Sequence, residues 1–512
     1  MTFAAAGLGQ IAPRLNPGFL VSPALAATNK DLIFLSSENL SGNWNPTQHT
    51  LLSQLNLEGF IYGYLTRAPM RPENPEEIVW ELATGMKPVD KYTLEISLRK
   101  GVKFHDGSPF TAKDVKATFE YASQLNRPAQ WYPGPCEVQI VDDHTCRVLT
   151  EKYKYPASLF YLLVSFLPIM SAKDIADEKI LAQRPNGAGP FKFVEQKGEA
   201  TILAANKEYC LGAPKIPGLQ FVHVHDATTR ALSLMSGQAD IVERLEAEQA
   251  DTLKKRDDVK LVKVLSVENK YLMFRCCKPP FDNAKLRLAA CHAIDRKVIV
   301  DVVGDAAHFS KCHISPVKFG YVDVPDYPEF DAARCQALLA EAGFPGGKGL
   351  PELEFITSIG FYPKTKEYGE VIAEMLKAQG FPVKLTVMET AAWNDALWHT
   401  PQCSRGHMID VGWASGSPEP DIVIRTHFHS SVTRVAGIAD KELDASLDKE
   451  RQAASVEERK RILQTETLPL IAHKAPGLSL FTSVFLYGVR KNLDGLYVYP
   501  NGMMNADNAV FV

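Results

Sequence analysis

The sequence predicts a mixed α/β protein built around more than one core. Three observations lead there. The chain has 512 residues, room for two or three cores rather than one. Stretches that alternate apolar and polar residues at period two are interspersed with stretches whose apolar residues recur every three or four positions, so strands and helices mix along the chain. No internal repeat and no low-complexity linker breaks that mixture, so the domains must be joined by short strand crossings rather than flexible tethers.

The elements follow in order. "FAAAGLGQIAP" and "RLNPGFLVSPALAAT" are apolar and end in the small-x-small pattern Ala24-Leu25-Ala26, which reads as a truncated export signal over residues 1–27. "YTLEISL" (Tyr92 to Leu98) alternates strictly and predicts a strand with one buried face. Asp106-Gly107 supplies a turn, and Thr111 with Asp114 is close to a capping box. Val115, Phe119 and Ala122 then form one apolar helix stripe. Cys136 and Cys146 flank a hairpin, "EVQIVDDHT", and pairing across it stands beside burial as unpaired small hydrophobes. Leu219 to His225 is strand-like, and Asp226 caps a helix that stops at Gly237. "YLMF" at 271–274 predicts a strand, Asn283 to Val303 one long helix, and "RCQALLAEAGFPGG" a helix ended by Gly343. "EVIAEMLKAQGFPVKLTVM" reads helix, glycine cap, strand, and "HMIDVGWAS" a strand entering the loop "GSPEPD".

Composition excludes several function classes. The formal net charge is -4, with no long basic run and no aromatic-basic interleaving, so nucleic acid is not an expected partner. After the N-terminus no apolar stretch reaches the roughly 18 residues that a membrane span needs. The chain holds no phosphate loop, no H-E-x-x-H and no C-x-x-C. "GWASG" carries its serine one place too late for a nucleophile elbow. His427 and His429 could present two imidazoles from one side of a strand, but a lone H-x-H is weak evidence for a metal, and none is expected. His105-Asp106 could be an acid-base pair; a backbone-capping turn closed by Gly107 is the stronger reading. The thin catalytic inventory points away from an enzyme, and no cofactor is expected.

"LRKGVKFHDGSPFTAKDVKATFEYA" (98–122) resembles the signature segment of the family 5 extracellular solute-binding proteins, the peptide-, nickel- and opine-binding components of bacterial ABC importers. The resemblance extends through "NGAGPFKFV" (186–194), with Ala188 where the family has threonine, and through "DATTRALSLMSGQADI". It continues in "KPPFDNAKLRLAACHAIDRKVIV", "CQALLAEAGFPGG" and "VGWASGSPEPD", in family order from about Asp31 to Leu496. It implies a periplasmic binding protein-like fold of type II, with two lobes, a hinge and an inserted third domain. By that analogy lobe I is 28–62, 187–270 and 487–512, the inserted domain 63–186, and lobe II 271–486. It further implies a monomer in the periplasm that takes a small molecule or short peptide and meets the permease and ATPase subunits of an importer.

The same resemblance supplies candidates for the cleft. Trp413 lies where the family has its loop tryptophan, and Tyr362 in "GFYPK" resembles a tyrosine of dipeptide binders. Trp44 and Asn45 lie in the loop after the first strand, where the family contacts ligand. Arg405 and Arg425 could meet a carboxylate or phosphate through paired hydrogen bonds. One departure matters. Where peptide binders of this family carry an acidic residue shortly after the tryptophan, this chain has Gly416, flanked by Ser415 and Ser417. Glu419 and Asp421 match a later part of the motif that shapes the loop. A peptide and a non-peptide solute (an opine, a sugar conjugate or a nickel chelate) both remain readings, with a secreted hydrolase and a chaperone-like binder behind them.

Overall fold

A computed structural model describes residues 30–38, 43–49, 52–124, 136–157, 160–359, 362–397, 403–414, 416–432 and 435–512. The export-signal segment 1–27 and Ser415 lie outside the described residues.

Two long strands, Val259–Phe274 and Gly477–Arg490, run antiparallel beside each other and join the two halves of one large sheet. On one side of this pair lie Ile241–Val242, Leu32–Ser36, Gly218–His223, Ala200–Ala205 and Phe191–Lys197. On the other lie Met408–Trp413, Leu353–Ile359 and Val383–Glu389. Leu32–Ser36 is parallel to both its neighbours. Leu353–Ile359 is also parallel to both of its own. Parallel strands are covered on both faces, which explains the unbroken apolar run "LIFL" at 32–35. Leu32 and Phe34 enter one core with Phe60 and Phe221, while Leu35 enters another with Leu234 and Val242. A larger core surrounds Tyr271, Phe355 and Ile409 in the other half of the sheet.

A separate four-stranded sheet orders Ala83–Asp90, Thr93–Leu98, Thr145–Leu149 and Glu137–Asp142. Leu94, Ile96 and Leu98 are buried from it, as the alternation requires. The helix Ala112–Gln124 covers this sheet with Val115, Phe119 and Ala122. Its start is the expected reciprocal cap: Asp114 accepts from the Thr111 amide at 2.8 Å, and the Thr111 hydroxyl accepts from the Lys113 amide at 3.3 Å. Asp106 accepts from the Ser108 amide at 2.9 Å, closing the turn. Burial pushes the neighbouring His105 down to about 4.

The segment "NGAGPF" is where two backbones touch. Gly189 donates to the Ile61 carbonyl at 2.9 Å, and a Cβ on Gly187 would stand 2.0 Å from that same oxygen. Glycine is therefore a steric requirement at this join.

Two expectations are corrected and one open alternative is decided. Asn283 to Val303 is two helices, Ala284–His292 and Arg296–Val303, because the Asp295 side chain accepts from the Lys297 amide and starts the second. Cys136 and Cys146 are free and buried: Ile140 stands opposite Cys146, and Cys136 lies before the first paired residue. The disulfide joins Cys277 to Cys403, with Cα atoms 6.1 Å apart and a sequence separation of 126. Finally, His427 sits on the helix Asp421–Phe428 rather than on a strand, and His429 follows its end.

Candidate functional site

The strand register locates the site. Ile241–Val242 pairs with Val489 and Gly488, so its carboxyl end points toward the lower-numbered part of Gly477–Arg490. Met408–Trp413 pairs with Phe274 back to Asn269, so its carboxyl end reaches the middle of Val259–Phe274. The parallel strands of both half-sheets therefore aim their carboxyl ends at the same stretch of the two crossing strands. In open α/β sheets that is where ligands bind.

The ladder itself slips at this stretch. Leu265 faces Val484 and Asn269 faces Thr482, so four steps on one strand answer two on the other. The residues squeezed out are held from outside the ladder: the Val267 amide donates to the Pro500 carbonyl at 3.0 Å, and the Ser315 hydroxyl donates to the Ser266 carbonyl. A bulge of this kind bends a strand and re-aims its side chains.

Around the bulge stands a compact set of groups. Trp413, the last residue of its strand, is opposite Asn269, and its indole meets the His427 ring edge-on at 5.1 Å. The Tyr362 hydroxyl donates to the Gly412 carbonyl at 3.1 Å and accepts from the Gly412 amide at 3.2 Å. The Lys270 ammonium lies 3.0 Å from the centroid of the Tyr362 ring and 3.7 Å from the Asp410 carboxylate. Asp410 also accepts from Tyr368 at 2.8 Å and Thr357 at 3.1 Å. Glu268 accepts from the Ser483 hydroxyl at 2.7 Å. A Cβ on Gly412 would come within 2.9 Å of the Tyr362 ring and 3.0 Å of both the Glu268 carboxyl carbon and the Lys270 side chain. Only glycine lets these three side chains share that space.

From the other half-sheet come Glu38 and Arg244, which pair at 2.8 Å just beyond the ends of Leu32–Ser36 and Ile241–Val242. Arg244 takes a left-handed backbone, φ +47°, a sparsely populated conformation for a residue with a Cβ. Behind it Glu243, buried, accepts from Ser53 at 2.6 Å and Asn56 at 3.1 Å. An ion pair ties the halves together. Lys364 reaches Glu248 at 3.5 Å. The Tyr362 hydroxyl is pushed well above its ordinary range by burial and by the Glu268 and Asp410 charges, while the Arg244 guanidinium pulls the other way. Burial also lowers the Lys270 ammonium, against the opposing pull of Asp410 and Glu268.

The residues singled out from sequence are distributed as follows. Tyr362 bonds the Gly412 backbone, while Trp413, next along the strand, faces the other side of the sheet beside His427. Trp44 stacks edge-on with Phe193 at 5.0 Å, and its amide donates to the Ala182 carbonyl at 2.8 Å. Asn45 caps the short turn Pro46–Gln48 and donates to the Tyr121 hydroxyl at 2.8 Å. Arg405 lies 3.8 Å from Asp395, and its carbonyl accepts from Arg275. Arg425 is buried and donates to Asp421 at 2.8 Å and to Asp448 at 2.9 Å. Gly416 offers its carbonyl to Asn501 at 3.1 Å.

The loop "GSPEPD" is fixed by buried charge. Arg459 donates to Glu419 at 2.8 and 2.5 Å and to Glu450 at 2.7 Å, and Tyr155 of the four-stranded-sheet region also donates to Glu419. Asp421 is held by Arg425 and Arg451. Burial pushes Glu450 up to about 8 and the Lys318 ammonium, whose partner is the Ser417 carbonyl, down to about 7.

Sequence reasoning missed Glu268, Lys270 and Arg244. A signal was present: "ENK" at 268–270 places three polar residues in a row, immediately before the apolar "YLMF", inside one strand. Such a run breaks the period-two rule and marks a bulge or a site.

The model for "Bacterial extracellular solute-binding proteins, family 5 Middle" matches residues 77–434. The chain is 25% identical over 504 residues to the glutathione-binding protein GsiB of Salmonella choleraesuis (strain SC-B67), covering 95% of each. It is 28% identical over 464 residues to heme-binding protein A of Haemophilus influenzae (strain ATCC 51907 / DSM 11121 / KW20 / Rd), covering 83% of this chain and 81% of that one. The solved structure of HbpA2 from Haemophilus parasuis superposes with a TM-score of 0.80 at 23% identity, over 94% of this chain and all of the other, which establishes the shared fold.

Proposed function

The chain belongs to family 5 of the bacterial extracellular solute-binding proteins, and from that premise we propose that it captures a peptide or peptide-like solute between two lobes and delivers it, as a monomer in the periplasm, to the permease and ATPase of an ABC importer. Lobe I is 28–62, 187–270 and 487–512, lobe II is 271–486, and 63–186 is the inserted domain. The separate cores and the paired crossing strands support that division.

The observation that carries the reading is the meeting of carboxyl-terminal strand ends from both half-sheets at the bulged crossing strands. A solute there touches Trp413 and Tyr362 on one side and Arg244 on the other. Contacts made with both lobes at once favour the closed arrangement, and contacts with one lobe do not. No bond in the solute needs to break. Among the described residues no helix is long and apolar enough to cross a membrane. The Cys277–Cys403 disulfide fits an oxidising compartment.

A non-peptide solute is the second reading, favoured by Gly416 in place of an acidic side chain. Thermal denaturation with glutathione, dipeptides, opines, sugar acids and metal chelates separates the two. One class should raise the melting temperature in proportion to its affinity. Release of a chemically altered solute would instead reveal an enzyme.

A further inference from the structure

The inserted domain and lobe II share no chain segment, yet they share a buried contact. The inserted domain leaves and rejoins lobe I at 62–63 and 186–187, beside the bond from Gly189 to the Ile61 carbonyl. Its buried Arg67–Glu81 pair is sealed by Tyr209 of lobe I, which donates to Glu81 at 2.9 Å. Lobe II is carried on lobe I by the two crossing strands. Across the gap Tyr155 of the inserted domain donates to Glu419 of lobe II and accepts from Arg459 at 2.9 Å. These three side chains, and Glu450 beside them, are fully buried. Ile422 of lobe II packs in the core of the inserted domain, and Leu162 of the inserted domain packs in the core of lobe II. At the rim Tyr92 donates to the Gln452 side chain at 3.0 Å, Gln452 donates to the Lys154 carbonyl, and Lys460 pairs with Glu76 at 3.3 Å. A hinge at the bulge that swings lobe II away from lobe I also swings it away from the inserted domain. Every one of these contacts then breaks.

We propose that this contact, centred on Tyr155 and Glu419, is a latch that holds the lobes closed over any solute and uses none of the side chains gathered at the bulge. This rests on the reading of solute capture between lobes given above. In the closed arrangement the Tyr155 hydroxyl supplies one of the hydrogen bonds that a buried carboxylate requires. Its ring also keeps water from the Arg459–Glu419 pair, which strengthens their attraction. On opening, water reaches Glu419 and replaces the phenol. The latch therefore adds the same increment to closure whatever occupies the cleft, and the apparent affinity for each solute scales with the fraction of protein able to close. Selectivity stays with the bulge, while affinity is divided between the bulge and the latch.

The test is calorimetry of the native protein, Tyr155→Phe and Gln452→Ala with three chemically unlike probes: glutathione, Met-Leu and mannopinic acid. Tyr155→Phe keeps the ring and loses only the hydroxyl. It should weaken every probe that binds by one common factor of about threefold or more, the loss of a hydrogen bond to a charged group. Gln452→Ala, half-buried at the rim, should weaken them all by a smaller common factor. Small-angle scattering of the unliganded proteins should give each variant a radius of gyration no smaller than the native value. Affinities that Tyr155→Phe leaves unchanged overturn the latch; should that variant not fold, unchanged affinities in Gln452→Ala do so. A loss confined to one probe also overturns it, since Tyr155 would then be touching that solute. So does a variant more compact than the native protein. Solute capture stands in each of these cases. A native protein that binds none of the probes overturns the capture reading itself.

Discussion

Trp413 stands opposite Asn269 in the ladder, one step from the place where the crossing strand slips against its partner. The tryptophan is thereby fixed to the backbone of the crossing strand. Asn269 is itself anchored to the other crossing strand, donating to Ser479 at 3.0 Å and accepting from Thr482 at 3.0 Å. Any rotation of one half-sheet against the other must be absorbed at this bulge.

Removing the indole should therefore cost binding rather than folding. Trp413→Ala is expected to weaken the bound solute by about 10- to 100-fold, the loss of one aromatic contact in a cleft. Calorimetry with whichever solute stabilises the native protein reads this directly, and circular dichroism should be unchanged.

The disulfide closes a long loop from exposed Cys277 to buried Cys403. Breaking it with Cys277→Ser or a reductant should cost about 2–4 kcal/mol. The melting temperature of the reduced protein should fall by several degrees, with solute affinity altered far less.

Arg459 is the hub of the buried network that holds the "GSPEPD" loop. Arg459→Met leaves Glu419 and Glu450 buried without their cation and should destabilise by about 3–5 kcal/mol. Urea denaturation of the variant checks this. Substituting an exposed arginine such as Arg461 should change stability by less than about 1 kcal/mol.

Acid should loosen the fold before it affects surface pairs. Burial lowers both His105 and His313 to about 4. A group whose folded pKa lies below its unfolded value stabilises when deprotonated, so this stability is present above about 6.5 and lost as the pH falls toward 4. His313 is fully buried and donates to the Gly477 carbonyl at 2.9 Å. Melting curves from pH 7 to pH 4 should fall steeply, and His313→Gln should flatten that fall.

Much of the scaffold was legible locally. The strand ending at Leu98, the Thr111–Asp114 cap and the helix begun by Asp226 depend on neighbours a few residues away, and all three form. What depends on distant partners was not legible. Nothing local pairs Cys277 with Cys403 across 126 residues. Asp295 could continue a helix or start one, and only the fold decides. "YLMF" gave the end of a strand of 16 residues, so its polar middle, with Glu268 and Lys270, went unread. Tyr362 and Trp413 were found through family motifs, but the two-way bond of Tyr362 to the Gly412 backbone needed the coordinates.

The most direct measurement is a crystal structure of the protein saturated with the solute that most raises its melting temperature. The account predicts density for that molecule beside Trp413 and Tyr362, with contacts to Arg244 from the other half-sheet. A molecule bound to one half-sheet only, or outside the bulge, would contradict it.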